Sequence, residues 1–147
     1  MSGPPIQDRA FADLTARQLH DLLRLRIDVF VVEQRCPYAE LDGRDTEPAT
    51  RHIWISDGNS RPRAYLRLLD DGDERRIGRV VVRTDDRRHG LARTLVTHAV
   101  HAHRGPWVLD AQTYLQSWYE GLGFHVCGVP FVQDGIPHVP MRREEPE

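Results

Sequence analysis

The stretch of residues 77–95 carries the pattern with the clearest chemistry in this sequence. A strand-like apolar run enters a loop, and a helix-like run begins near Gly90. The first turn of a helix leaves backbone N–H groups without partners, and the helix dipole places partial positive charge there. Gly90 and Ala92 are small, so a phosphate group can approach the main chain closely. Full positive charges are added around the same point by Arg87, Arg88 and Arg93. The pattern predicts a cradle for a pyrophosphate group, although a strand–helix turn with solvated arginines is the commoner explanation of this motif alone.

Hydrophobic periodicity predicts the elements that must position this loop. A first helix is expected over residues 15–31, because Thr15 and Gln18 have capping-box spacing and leucines follow at the helical period. A polar segment over residues 33–50 follows, and loops of this length are usually functional or disordered. The remaining predicted elements are strands at 51–56, 64–69 and 75–82, a helix at 90–103, a strand at 107–111, a helix at 114–122, and strands at 124–127 and 139–141.

This order of elements predicts the fold class. A helix, a β-meander and then alternating strands and helices indicate a mixed α/β (α+β) domain with one parallel crossover in its second half. The chain has 147 residues, which is the size of one domain, so residues 1–147 are interpreted as a single unit. The two cysteines have no metal or disulfide-framework spacing.

Composition excludes several classes of function. All 20 basic residues are arginine, which removes Schiff-base, pyridoxal and Walker-A mechanisms because each needs a lysine. A net charge of −2 argues against partnership with nucleic acid or an anionic membrane. The longest apolar runs, such as residues 29–32, are far shorter than a membrane span, and no secretory signal is apparent. We therefore expect a cytoplasmic protein.

Several separate motifs together resemble one family. Arg87-x-x-Gly90-x-Ala92 resembles the acetyl-CoA pyrophosphate motif, Q/R-x-x-G-x-G/A, of the GNAT N-acetyltransferase superfamily, and it follows a strand as that family requires. Residues 117–124 are similar to the second family signature, Y-E-x-x-G-F. Residues 25–45 and 133–138 resemble the ElaA-like subgroup. The motifs fall in the family's order over residues 11–141.

The resemblance implies the GNAT fold, a mixed, twisted and mostly antiparallel sheet with a central parallel pair, flanked by helices. It also implies an acyltransferase that moves an acetyl group from acetyl-CoA, the co-substrate, to an amine without a covalent enzyme intermediate. Tyr119 would protonate the departing thiolate. The alternative is that Tyr119 is only an aromatic residue of the core, which is the commoner role of a tyrosine in a helix. Gln112 stands where many family members carry asparagine. The implied cofactor contacts are Val80, Val81, Val82, Arg87, Arg88, His89, Gly90, Leu91, Ala92, Arg93, Gln112 and Tyr119.

The acceptor amine must lose a proton, so a base is required. Glu33, which follows the first helix, is the preferred candidate. The other candidates, Glu40, Asp42, Asp45, His52 and His138, are also expected to bind the acceptor. The acidic residues of this loop favour a cationic acceptor, such as a polyamine, an amino sugar, or a lysine or N-terminal amine. The alternative is that Glu33, Asp42 and Asp45 cap turns and pair with Arg35, Arg44 and Arg51.

Other interpretations remain open. The protein could bind or sense acyl-CoA without transferring the group. It could also use a longer acyl donor, since residues 29–34 are similar to acyl-homoserine-lactone synthases. No metal is expected at His98, His101 and His103, because the sequence shows no accompanying carboxylate or cysteine and a solvated helix end explains them. A homodimer formed through the C-terminal strand is compatible with the resemblance.

Overall fold

The computed structural model describes residues 5–146, and one eight-stranded mixed sheet organises them. The strands are β1 (Ile6–Ala10), β2 (Arg51–Ser56), β3 (Pro62–Asp70), β4 (Arg75–Val82), β5 (Trp107–Gln112), β6 (His125–Val126), β7 (Phe131–Gln133) and β8 (Ile136–Arg143). Their order is β1-β2-β3-β4-β5-β8-β6, with β7 pairing β8. Only the β4–β5 pair is parallel among these strands. The predicted fold class, including its central parallel pair, is confirmed.

The helices are α1 (Ala16–Ile27), α2 (Leu91–Ala102) and α3 (Gln116–Glu120). The predicted capping box begins α1: Thr15 Oγ1 accepts from the Gln18 N–H at 3.0 Å, and the Thr15 N–H donates to Gln18 Oε1 at 2.9 Å. The chain then continues as a wider π-helical segment, Asp28–Glu33. Because i→i+5 bonding adds a residue to each turn, this segment sets the direction in which the acidic loop leaves the helix.

Apolar side chains on both faces of the sheet hold the helices in place. On one face α2 and α3 pack through residues such as Leu95, Val96 and Tyr119 against strand residues such as Leu66. On the other face α1 packs Leu22 and Leu25 against Trp54 and Tyr65. Helices on both faces of a mixed sheet form the layered architecture expected of the α/β class.

Strands β4 and β5 are parallel neighbours over a short distance only. Their register covers Arg75 opposite Trp107 and Arg76 opposite Val108. β4 carries an irregularity in its pairing with β3, where Arg79 has a φ of 51°. Beyond Arg76 the two strands separate, and the sheet opens towards the loop that precedes α2.

Several predicted boundaries were wrong. β1 and β7 were not predicted, because a five-residue strand with the sequence Ile-Gln-Asp-Arg-Ala lacks an alternating apolar pattern. The third helix is shorter than predicted, since residues 113–115 form a 3₁₀ turn before α3. β8 extends well beyond residues 139–141. No helix within residues 5–146 is both long and apolar enough to cross a membrane.

Candidate active site

A cavity of about 480 Å³ lies at the end of β4, beside the first turn of α2, and we call it the arginine cleft. Its lining comes from the π-helical segment that follows α1, the end of β4, the loop before α2, the first turn of α2, and the segment around α3. The lining residues are Val29, Phe30, Glu33, Gln34, Val80, Val81, Val82, Asp86, Arg87, Arg88, Gly90, Leu91, Ala92, Arg93, Tyr114, Leu115, Trp118 and Tyr119. All the predicted cofactor residues except His89 and Gln112 are in this set.

Gly90 is the N-cap of α2 and opens its first turn to the cleft. Its φ of 73° lies in the left-handed region that favours glycine. A Cβ atom placed on it would meet no other atom within 4 Å, so the space in front of this turn is open. Unpaired N–H groups of the turn, with Arg88 and Arg93 exposed beside them, can therefore bind an anion such as pyrophosphate.

Glu33 and Arg87 form a two-pronged ion pair at the mouth of the arginine cleft. Arg87 Nη1 donates to Glu33 Oε2 at 2.7 Å, and Arg87 Nη2 donates to Oε1 at 2.9 Å. Thr84 Oγ1 also donates to Oε1, at 3.0 Å. The hydrogen bond from Arg87, followed by that from Thr84, lowers the pKa of the exposed Glu33 carboxyl. A carboxylate held in this way is a weaker base, and it positions Arg87 instead.

A second cavity of about 310 Å³, the side cavity, adjoins the arginine cleft. The two cavities share six lining residues, which are Phe30, Gln34, Val80, Tyr114, Leu115 and Tyr119. The other side-cavity residues include Tyr38, Arg67, Arg76, Arg79, Asp110, Gln112, Asp134 and His138. A molecule bound in one cavity can therefore meet a molecule bound in the other, beside Tyr119.

Tyr119 is almost fully buried at this junction, with 6% of its surface exposed. Its ring lies edge-on to Trp118 and Phe124, at centroid distances of 4.8 and 5.9 Å. Burial raises the pKa of Tyr119 to about 12, with a smaller contribution from Tyr114. Its hydroxyl makes no hydrogen bond to any other residue within 5–146. The group is therefore a neutral proton donor without a competing partner.

His138 faces the side cavity from β8. Its Nδ1 lies 2.7 Å from the Ile136 carbonyl oxygen, and its ring stacks on Phe131 at 5.5 Å and 15°. Because a carbonyl only accepts hydrogen bonds, Nδ1 carries the proton, and the neutral ring presents a lone pair on Nε2. This is the tautomer that a general base requires.

The other predicted acceptor residues lie outside both cavity linings, in a network of ion pairs that buries all of them except Asp42, whose side chain is 31% exposed. Glu40, Asp45 and His52 are 4%, 6% and 1% exposed. The contacts are Arg26 Nε to Glu40 Oε2 at 2.6 Å, Arg26 Nη1 to Asp45 Oδ1 at 2.8 Å, Arg67 Nη2 to Asp42 Oδ2 at 2.7 Å, and Arg79 Nε to Glu40 Oε2 at 3.0 Å. His52 lies 2.7 Å from the Tyr65 hydroxyl and 2.9 Å from the Asp45 carbonyl oxygen. Their polar atoms are therefore occupied within the protein.

The arginine partners in this network determine the pKa values of Asp42 and Asp45. Burial alone would raise the pKa of Asp42 and Asp45. Hydrogen bonds and charge from Arg67 and Arg26 outweigh it and hold both pKa values below their usual range.

The alternative expectation was that Glu33, Asp42 and Asp45 cap turns and form structural ion pairs. Asp42 does cap a turn, since the Arg44 N–H donates to its Oδ1 at 3.0 Å, and all three carboxylates pair with arginines. The arginines expected as partners were wrong, since Arg44 pairs with Glu47 and Asp71 while Arg51 pairs with Asp8.

Two residues that sequence reasoning missed, Arg67 and Arg79, join this network to the side cavity. Arg67 is 3% exposed, and its Nε has no hydrogen-bond partner among the described residues. The Arg79 guanidinium lies 5.5 Å from the ring centre of Tyr38. The sequence offers no local signal for either residue, because both are isolated arginines in strands.

The expectation that His98, His101 and His103 form a solvated helix end without an accompanying carboxylate was wrong for two of the three. His98 and His103 come together, and a carboxylate, Asp8 of β1, accompanies them. The strand that supplies Asp8 is β1, one of the two strands that periodicity failed to predict.

The chain matches a family model described as an acetyltransferase (GNAT) domain over residues 18–145, and it therefore belongs to the GNAT acetyltransferase family. It is 47% identical over 137 residues to a UPF0039 protein of Mycobacterium tuberculosis, covering 89% of this chain and 87% of that one. It is 39% identical over 146 residues to protein ElaA of Escherichia coli, covering 94% and 95% of the two chains.

Two solved structures have closely similar folds. One is an acyl-CoA N-acyltransferase from Pseudomonas aeruginosa, with a TM-score of 0.91 and 39% identity over 96% of this chain and 99% of that chain. The other is E. coli ElaA, with a TM-score of 0.88 and 37% identity over 95% and 99% of the two chains. The resemblance to the ElaA-like subgroup is confirmed.

Proposed function

We propose that this protein is an acetyl-CoA-dependent N-acetyltransferase that acetylates a primary amine of a small molecule or peptide. One observation carries the proposal: the arginine cleft, which ends at a helix N-terminus, meets the side cavity at Tyr119. A cofactor and an acceptor can thus approach each other from two directions. Membership of the GNAT family supports the same reaction class.

The cofactor contacts follow from the lining of the arginine cleft. The main chain of Val80, Val81 and Val82 would hold the pantetheine arm as an added strand, because β4 is paired with β3 on one side but has no paired strand on its β5 side beyond Arg76. The pyrophosphate would lie on the first turn of α2, between Arg88 and Arg93. His89 lies outside both linings, and Gln112 lines the side cavity, so we assign Gln112 to the acceptor side.

Transfer would proceed by direct attack. The neutral amine nitrogen bonds to the thioester carbonyl carbon, and the carbonyl oxygen becomes an oxyanion. On collapse the C–S bond breaks and the electron pair leaves with sulfur. The Tyr119 hydroxyl would give its proton to this thiolate, since a pKa near 12 keeps the phenol protonated over the working pH range.

For the proton lost by the amine, we propose His138 as the acceptor in place of Glu33. His138 lies in the side cavity with its Nε2 lone pair free in the neutral tautomer. Glu33 is bound on both oxygens by Arg87, which lowers its basicity. We therefore assign Glu33 to holding Arg87 at the cofactor side.

The acceptor class needs revision in one respect. The carboxylates of Glu40, Asp42 and Asp45 are neutralised by arginines, so they supply no net attraction for a cation. Two other carboxylates line the side cavity, and that of Asp110 is paired with Arg76 at 3.2 Å. The preference for a cationic amine therefore rests on Asp134. A screen in which only neutral or anionic amines are acetylated would remove it.

Isothermal titration of acetyl-CoA and CoA tests the cofactor assignment. The test variant is Gly90→Glu, and the matched control is Gly72→Glu. Gly72 has a φ of 88° and equally open surroundings but lies in the β3–β4 turn. We expect the wild-type protein and the control to bind both ligands with micromolar affinity. Gly90→Glu should bind them at least about 100-fold more weakly, because its carboxylate would occupy the place of the CoA pyrophosphate at the first turn of α2. A wild-type protein that binds neither ligand would overturn the proposal.

Turnover then separates the remaining alternatives. Acetylation of an amine by the wild-type protein would exclude a role restricted to binding or sensing. Octanoyl-CoA measured beside acetyl-CoA tests the longer donor, and a higher kcat/KM with octanoyl-CoA would correct the donor while leaving the site assignment unchanged.

A further inference from the structure

A cluster of three potential metal ligands lies between the edge strand β1 and the C-terminal end of α2. Asp8 Oδ2 lies 2.8 Å from His98 Nε2 and 2.6 Å from His103 Nε2. The three ligand atoms all lie within 4.8 Å of one another. The histidines are 90 and 95 residues from Asp8 in the chain, so the fold itself brings them together.

The carboxylate of Asp8 is oriented by a fourth residue. Arg51 Nε donates to Asp8 Oδ1 at 2.8 Å, and Arg51 Nη2 donates to the Asp8 carbonyl oxygen at 2.9 Å. Arg51 therefore occupies one carboxylate oxygen and leaves the other directed at the histidines. Metal-binding side chains in proteins are commonly fixed in this way by a hydrogen bond to their second polar atom.

The cluster is partly buried rather than closed. The exposed fractions of the Asp8, His98 and His103 side chains are 16%, 26% and 23%. Solvent can therefore reach the site and complete a coordination shell.

We propose that Asp8, His98 and His103 bind one divalent transition-metal ion, with Zn²⁺ as the representative, through two imidazole nitrogens and one carboxylate oxygen. Two nitrogens and one oxygen suit Zn²⁺ and its neighbours better than Mg²⁺ or Ca²⁺, which prefer oxygen alone. Bonds of about 2.0–2.1 Å in a tetrahedron separate ligand atoms by about 3.3 Å. The distances from Asp8 to His98 and His103 therefore widen by about 0.5 and 0.7 Å, and each imidazole proton moves to Nδ1 or to solvent.

The position of the site defines its role. Gly90 and the arginine cleft lie at the N-terminal end of α2, whereas His98 and His103 lie at its C-terminal end. Eight residues of helix at about 1.5 Å each place His98 about 12 Å along the axis from Gly90. The ion acts as a structural clasp that fastens β1 to α2 and takes no part in acyl transfer.

The test is a titration of tag-free, chelator-treated protein with Zn²⁺ in competition with a chromophoric chelator. The variants are Asp8→Asn and His103→Gln, each of which keeps a polar group of similar shape. The control is His101→Gln, an exposed histidine on the same helix. A thermal melt of each protein in chelator shows that it is folded before metal is added.

We expect one Zn²⁺ per chain in the wild-type protein and in the control, and an affinity at least about 100-fold weaker in both test variants. At about 100 times the dissociation constant, Zn²⁺ should raise the wild-type melting temperature by about 5–10 °C. Co²⁺ in the same site should give visible d–d absorption that both variants lose.

Two results would overturn the proposal. Equal Zn²⁺ affinity in all four proteins would place the ion elsewhere, for example at Cys36 or Cys127. Absence of Zn²⁺ binding, together with a lower melting temperature of Asp8→Asn in chelator, would identify the cluster as a hydrogen-bonded clamp alone.

Discussion

Arginine has opposite roles in two regions of this molecule, the buried network beside α1 and the arginine cleft. In the network, Arg26 and Arg67 are 1% and 3% exposed, and each contacts two carboxylates. In the cleft, Arg88 and Arg93 are exposed, and within residues 5–146 neither has a carboxylate within 4.0 Å. An arginine whose charge is already balanced holds the fold, whereas one beside an open helix N-terminus is free to bind an anionic ligand.

The largest effect expected from this comparison is on stability. Arg26→Met leaves Glu40 and Asp45 buried with part of their pairing lost, and it should lower the free energy of unfolding by about 3 kcal/mol. Arg67 and Arg79 still contact these carboxylates, so the loss falls at the lower end of the range for broken buried pairs. Urea unfolding measures it. The control is Arg24→Met, whose side chain is 67% exposed in a weak pair and should change stability by about 0.5 kcal/mol or less.

The two regions also differ in how well the sequence predicts them. The cleft depends on residues 77–95, where strand, loop and helix are consecutive, so a local motif identifies it. The network joins residues far apart in the chain, such as Arg26 with Glu40 and Arg79 with Glu40, which are 14 and 39 positions apart. No local pattern distinguishes a carboxylate paired by such a contact from one that faces a substrate.

The same reasoning explains the other errors of prediction. Glu33 follows α1 as predicted, but its partner Arg87 is 54 residues away, and this contact changes Glu33 from a candidate base into a positioning group. Asp8 lies in a strand that is too short and too polar to show periodicity. The sequence therefore did not predict that Asp8 and His98 lie close together in the fold. The parallel pair was predictable, because it follows from the order of strands and helices in the second half of the chain. The complete strand order was not predicted.

The second prediction concerns chemistry in the cleft region. Tyr119→Phe should lower kcat by about 100-fold, the lower end of the usual contribution of a general acid, with the Kd for CoA within about two-fold. The melting temperature should not change, because the hydroxyl has no hydrogen-bond partner within residues 5–146. Steady-state kinetics, CoA titration and a thermal melt give the three readouts. An unchanged kcat would make Tyr119 a core aromatic.

A smaller effect is expected for the exposed arginines. Arg88→Gln and Arg93→Gln should each weaken CoA binding about three- to five-fold, since exposed charge pairs contribute up to about 1 kcal/mol. Stability should remain at the wild-type value, and added salt should reduce the difference. Arg104→Gln, an exposed arginine beyond the other end of α2, is the control. A loss of stability in the cleft variants without loss of affinity would reverse the comparison between the two regions.

The smallest effect is a pH dependence of stability from His52 in the network. Its Nε2–H donates to the Asp45 carbonyl oxygen, so Nδ1 accepts from the Tyr65 hydroxyl. Burial, and then the nearby charges of Arg26 and Arg67, lower its pKa below 6.5, outweighing the hydrogen bond to Asp45. The unfolded chain therefore takes up a proton as the pH falls through about 6.5 while the folded chain does not. The contribution of His52 to stability is complete above that pH and declines below it.

Comparison with His52→Gln isolates this contribution. Urea unfolding from pH 7.5 to pH 5 should show wild-type stability falling more steeply than that of the variant. The carboxylates of Asp42 and Asp45 do not interfere with this measurement. Their folded pKa values are lowered, so their contribution to stability declines only below about pH 5, where the unfolded chain begins to protonate them at an ordinary pKa of about 4. Parallel curves would mean that protonated His52 is tolerated among Arg26 and Arg67. The network would then be a flexible, hydrated surface, and its carboxylates would return as candidate acceptor contacts.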